Sequence, residues 1–160
     1  MTPAPPVRPY RAADRSACLA AFDSNCPAFF TRSERELFSR FLDEKALDPA
    51  RPFYVAEQDG RAVGCGGHRV SDYGVAYLAW GMVERSRHRA GIGTALLAHR
   101  LETIRDVPHA WRVVMDTSPA SMPFYARFGF APFRTVPDGY RTGLDQVFLR
   151  LVWATPTPAR

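Results

Sequence analysis

At 160 residues, 46% hydrophobic and 23% charged, the chain is long enough for one domain with one substantial core and short for two. A net charge of +5 and a pI near 9.5 suit an anionic ligand, an acidic surface or nucleic acid without choosing among them. No segment supplies the ~20 consecutive apolar residues of a membrane span, Met1-Thr2-Pro3-Ala4-Pro5-Pro6 lacks an apolar signal core, and three cysteines without C-x-x-C spacing indicate neither a disulfide framework nor a zinc site.

These bounds predict a cytoplasmic protein with reduced thiols, no membrane contact and no metal. Lys45 is the only lysine. The arginines are spread along the whole chain, so they read equally well as a solvated surface reflecting a coding bias.

In chain order, residues 1–6 form a Pro-rich flexible tail, and Val7 to Arg11 reads as a short edge strand, where proline is tolerated. Asp14 is placed to cap a helix through Cys18, Leu19, Ala21 and Phe22 that ends near Asp23-Ser24-Asn25. Thr31 followed by Glu34 is a capping box, and Leu37, Phe38, Phe41 and Leu42 repeat at helical spacing as a core stripe. From Phe53 the period changes to that of a strand, and Asp59-Gly60 turns it into a partner running from Arg61 to Val70. A second hairpin through Ser71 to Gly74 feeds Val75 to Val83, apolar on both faces as a covered central strand should be.

That strand leads into Glu84-Arg85-Ser86-Arg87-His88-Arg89-Ala90-Gly91-Ile92-Gly93-Thr94. Gly91 and Gly93 let backbone approach a ligand, and the helix that starts there directs N–H groups and its positive end outward. Arg85, Arg87 and Arg89 add positive charge. Ile92, Leu96, Leu97, Leu101 and Ile104 mark the helix's buried face, and Trp111 to Asp116 is the next strand. A strand–helix–strand crossover makes the two strands parallel neighbours with the glycine loop at the carboxyl end of the first, where ligands bind in α/β sheets.

Ser118-Pro119 can open a further helix carrying Phe124, Tyr125 and Phe128 to Gly129, with Pro123 bending or delaying it. Phe130 to Val136, a loop from Pro137 to Leu144 and a strand from Gln146 to Trp153 follow, with Ala154 to Arg160 a loose tail.

Two motifs in this order resemble the GNAT superfamily of acetyl-CoA-dependent N-acetyltransferases. Arg89-Ala90-Gly91-Ile92-Gly93-Thr94-Ala95-Leu96-Leu97 is similar to that family's pyrophosphate loop and helix, and Ser118 to Phe130 to its late helix carrying a tyrosine and then Gly-Phe. The resemblance covers residues 7–153 and implies a single GNAT-like α/β domain. Its fold would be a mixed, mostly antiparallel sheet of about six or seven strands with one parallel splayed pair, flanked by about four helices.

By the same resemblance, acetyl-CoA is the cosubstrate. Backbone of Arg89, Ala90, Gly91, Ile92, Gly93 and Thr94 would hold its pyrophosphate, and Met82, Val83 and Glu84, whose groups would otherwise be buried and unpaired, its pantetheine arm. His88 stands where the family commonly has glutamine or arginine, and Ser118 where relatives often have an asparagine touching the cofactor; the other reading of Ser118 is a helix cap.

Tyr125 matches the family tyrosine that protonates the departing sulfur; a phenol with a pKa of about 10 can donate to an incipient thiolate. Against this stands a core tyrosine in a Phe-Tyr-x-x-Phe helix. Tyr77 lies near the place where some members carry a glutamate base, so Glu84, Asp116 or a water chain stays open for that part, and the favoured plain readings of the two carboxylates are a loop charge and a helix-proximal cap. Tyr140 and residues Phe22 to Phe30 fall where the family flanks its acceptor.

Cys65 has no His and acid spaced for a triad, and the four histidines show no metal-ligand pattern. The expected partner is a small-molecule or peptide amine, with no nucleic acid; a homodimer stays open. A non-catalytic acyl-CoA-binding or sensing domain is the alternative, and a nucleic-acid module rests on the pI alone.

Overall fold

The computed structural model describes residues 3–153. The tail from Ala154 and the first two residues lie outside them. The helices and strands are α1 Arg15–Ser24, α2 Arg32–Glu44, α3 Ile92–Arg105, α4 Met122–Ala126, β1 Val7–Pro9, β2 Phe53–Gln58, β3 Arg61–Val70, β4 Val75–Val83, β5 Arg112–Thr117, β6 Ala131–Arg141 and β7 Leu144–Val152. The sheet order is β1-β2-β3-β4-β5-β7-β6, with β4 and β5 parallel, as the sequence implies. Contacts divide the chain into two compact units, one holding the residues up to Arg69 with Ala79–Asp106, the other Val70–Leu78 with the residues from Val107 on.

In the first unit, β1 lies antiparallel to β2 and pairs Val7 with Ala56. Pro6 is already tied down, since its carbonyl accepts the Glu57 N–H at 2.9 Å. Asp14 does not cap α1. Its carboxylate takes Arg8 through both guanidinium Nη atoms and the Arg11 N–H at 2.8 Å, closing a 3-10 turn over Ala12–Asp14 that precedes the helix. Arg8 holds the Asp14 carboxyl below the usual carboxylate range.

The Thr31 capping box forms, the Thr31 N–H donating to Glu34 Oε2 at 2.7 Å. Of the expected stripe, Phe38 and Leu42 are fully buried, Phe41 is half-buried, and Leu37 is 57% exposed. A 13-residue helix against one sheet face buries a narrower arc than those four positions span. The Asp59-Gly60 turn has φ of 53° and 75°, the double left-handed geometry of a two-residue hairpin. All five expected apolar positions of α3 are buried.

In the second unit, β4 pairs with β5 through Val75–Tyr77 against Arg112–Val114, and β5 pairs along its whole length with β7. Tyr77 is 37% exposed, so β4 is not covered on both faces throughout. Pro123 splits the late helix as its missing N–H dictates: a 3-10 turn over Pro119–Ser121, then α4 with proline in its first turn. The expected Pro137–Leu144 loop is instead mostly strand. β6 runs on to Arg141 with irregular register between Val136 and Arg141, and Asp138 bends there at φ 54°. The Asp138 carboxylate accepts the Gly143 N–H at 2.7 Å and the Asp145 carboxylate accepts the Asp138 N–H at 2.9 Å, closing the hairpin.

Candidate active site

The carboxyl end of β4 and the start of α3 are built almost wholly from main chain. Val83 carbonyl accepts the Asn25 side-chain amide at 2.8 Å and a His88 ring N–H at 2.9 Å, while the Glu84 N–H donates to Val63 carbonyl at 2.8 Å. These groups are therefore not unpaired, contrary to the sequence expectation, because Asn25 just past α1 and His88 of the loop fold back onto the Val83 carbonyl and β3 takes the Glu84 N–H. His88 also meets Phe29 edge to face, so its ring serves the strand end. Arg85 N–H donates to the Ser24 hydroxyl at 2.9 Å, tying the loop to the end of α1.

Arg89 has φ 64° and Gly91 φ 80°, with Ala90 between them, and α3 begins at Ile92. Alternating hand in consecutive residues turns successive N–H groups into one concavity, which binds anions. The first intrahelical bond is Ala95 N–H to Gly91 carbonyl, so the N–H groups of Ile92, Gly93 and Thr94 precede it and point out of the helix start. Arg89, Ala90, Gly91 and Thr94 are exposed and Ile92 is buried beneath them. Arg85 and Arg89 side chains hold no partner among the described residues, whereas Arg87 is committed to Gln58 and, at 3.5 Å, to Asp59. Two of the three expected arginines thus remain available to an anion.

Glu84 is ion-paired with Arg61 at 2.8 Å and accepts the Ser86 hydroxyl. Arg61 holds the carboxyl below its ordinary range, which makes it a weaker proton acceptor at neutral pH. β4 also contains a feature that its sequence does not announce. Trp80 adopts φ 54° inside the strand, a left-handed residue that breaks the extended course, and its ring packs on Phe38 and Phe41 at centroid distances of 5.0 and 6.2 Å.

In the second unit, Asp116 near the end of β5 accepts the Tyr140 hydroxyl at 2.6 Å and the Gln146 amide at 2.9 Å, both on Oδ2. Asp116 holds no guanidinium among the described residues. Tyr125 sits half-buried on α4, edge to face with Phe124 and Phe130 at 5.0 and 5.8 Å. Its carbonyl accepts the Phe128 and Phe130 N–H groups, and Gly129 at φ 93° closes the turn that follows the helix. Ser118 is buried, and its carbonyl rather than its hydroxyl accepts the Ser121 N–H. Sequence reasoning missed Arg100, which is buried on α3 and visible as a third-and-fourth-residue continuation of the Leu96–Leu97 stripe.

The profile of the acetyltransferase (GNAT) family matches residues 18–130, from α1 through the Gly-Phe that follows α4. The chain belongs to the GNAT acetyltransferase family. A mycothiol acetyltransferase of Acidimicrobium ferrooxidans is 34% identical over 121 residues, covering 71% of this chain. This chain spans only 34% of that relative's length. Among solved structures, a GNAT-family protein of Desulfovibrio desulfuricans superposes with a TM-score of 0.79 at 25% identity, covering 93% of this chain and 99% of its own. Rv2747 of Mycobacterium tuberculosis, solved in complex with CoA, gives 0.71 at 21% identity over 94% of this chain and 100% of its own, a likeness of fold. The GNAT fold thus accounts for the sheet order and the parallel pair.

Proposed function

We propose that this GNAT chain is an N-acetyltransferase that moves the acetyl group of acetyl-CoA to a primary amine. The observation that carries the reading is the left-handed pair Arg89 and Gly91 opening α3. It fits a pyrophosphate, because N–H groups of the loop and first helical turn converge there and Arg85 and Arg89 remain available. The backbone of Met82, Val83 and Glu84 would run alongside the pantetheine arm, with His88 and Ser118 as supporting contacts.

In the proposed reaction the amine lone pair attacks the thioester carbonyl carbon, giving a tetrahedral intermediate. Its collapse breaks the carbon–sulfur bond, and Tyr125 gives its phenolic proton to the departing sulfur. The proton lost by the attacking nitrogen needs an acceptor. Asp116 fits that part better than Glu84, because Glu84 is held by Arg61 while Asp116 has its Oδ1 unbonded among the described residues. A chain of water molecules to Asp116 would serve equally.

The test is thiol release from acetyl-CoA across a panel of amines. Amine-dependent release supports the transferase. Saturable CoA binding with no release under any amine favours a non-catalytic acyl-CoA sensor, the reading toward which the engaged Glu84 and the absence of a carboxylate at Tyr77 lean.

A further inference from the structure

Arg100 is 3% exposed, on the core side of α3 among Leu96, Leu97 and Leu101. Burying a guanidinium is costly unless its donors are met, and a Met there would pack without that cost. Two of its three nitrogens donate to main chain. Nε and Nη2 donate to Gly67 carbonyl at 3.2 and 2.6 Å, and Nη2 also to Ala79 carbonyl at 3.3 Å. The space it fills is made by missing side chains, since a Cβ on either Gly66 or Gly81 would lie 2.8 Å from Nη1.

Ala79 immediately precedes the left-handed Trp80. The next carbonyl along, that of Trp80 itself, faces the buried Cys65 thiol at 3.7 Å. Side chains from α3 and β3 therefore hold both carbonyls flanking the break. A non-glycine residue in that conformation is strained and persists only where its surroundings over-determine it.

We propose that Arg100 is a positioning residue for the acyl donor: by bridging Gly67 and Ala79 it fixes the break at Trp80 and hence the course of Gly81–Glu84. This rests on the reading above that these residues run beside the pantetheine arm. No contact between Arg100 and the donor is implied.

The experiment measures amide hydrogen exchange at Gly81–Glu84 in ligand-free protein, together with KM for acetyl-CoA and kcat, in the parent, Arg100→Met, Arg100→Lys and Gly66→Ala. The last variant crowds the guanidinium from β3 without touching the donor segment or removing the charge, and serves if Arg100→Met does not fold. Arg100→Met is expected to speed exchange at Gly81–Glu84 about tenfold or more and raise KM about tenfold, with kcat changed less. Arg100→Lys should recover part of both, and Gly66→Ala should show the same pattern more weakly. Lowered thermal stability with parental exchange at Gly81–Glu84 and a parental KM would overturn the proposal and leave Arg100 as packing. If the parent neither binds nor turns over acetyl-CoA, the functional reading fails by itself, and the ligand-free exchange still decides whether Arg100 holds the break.

Discussion

The glycine loop before α3 and the Asp116 cluster are built from different materials. The loop is main chain: two left-handed residues, a helix start and carbonyls tied by Asn25 and His88. The cluster is side chain: a carboxylate gripped by residues 24 and 30 positions further along. Main-chain geometry depends on local sequence, so glycine spacing before an apolar stripe discloses it. Side-chain clusters depend on register between distant strands, which no local pattern states. The donor half of the proposed reaction is accordingly legible here, and the acceptor half is where experiment can break the account.

The largest expected effect lies on that second side. Tyr125→Phe removes the proposed acid and should lower kcat by about 10²–10³ with KM for acetyl-CoA nearly unchanged. Steady-state kinetics across pH checks this; a parental kcat at all pH values would return Tyr125 to the packing role its Phe124 and Phe130 neighbours suggest.

The next effect separates the two units by stability. Burial, then the fields of Arg100 and His99, push the His68 pKa down to about 4. The unfolded chain, with an ordinary histidine near 6.5, binds the extra proton between those values, so stability present above pH 6.5 is lost as pH falls toward 4. The full loss is about 3 kcal/mol. Exchange followed by pH should show α3 and β3 loosening before β5 and β7, and His68→Phe should flatten the trend. Asp14, held low by Arg8, adds its own loss only at more acidic pH, below the ordinary carboxylate range.

Smaller again is the contrast between carboxylates. Asp116→Asn should lower kcat about tenfold or more, whereas Glu84→Gln should change it by no more than about threefold, since Glu84 mainly answers Arg61 at a partly exposed surface. A reversed order would move the proton acceptor to the strand end.

Much of the fold could be read in advance for the same reason as the loop. The Thr31 capping box, the Asp59-Gly60 turn and the α3 stripe are local signals, and each formed. What stayed hidden was non-local. Tyr140 reaches Asp116 because β6 continues past Pro137 through an irregular stretch, where turn residues read as a loop. Leu37 obeys the helical period yet faces solvent, since the period does not say how wide an arc the sheet will cover. Trp80's left-handed conformation suits neither its bulk nor its strand, and Gly66 and the buried Arg100 that accompany it lie on other elements.

The central claim is that the Gly91 loop cradles the pyrophosphate of CoA. The most direct measurement compares calorimetric binding of CoA and of pantetheine, which lacks the phosphates, in the parent and in Gly91→Val. Nothing lies within 4 Å of a Cβ at Gly91, so the substitution acts through its φ of 80° alone. The account predicts that CoA binds the parent at least about a hundredfold more tightly than pantetheine, and that Gly91→Val removes most of that margin. Equal affinities for the two ligands in the parent, or a margin untouched by Gly91→Val, would contradict it.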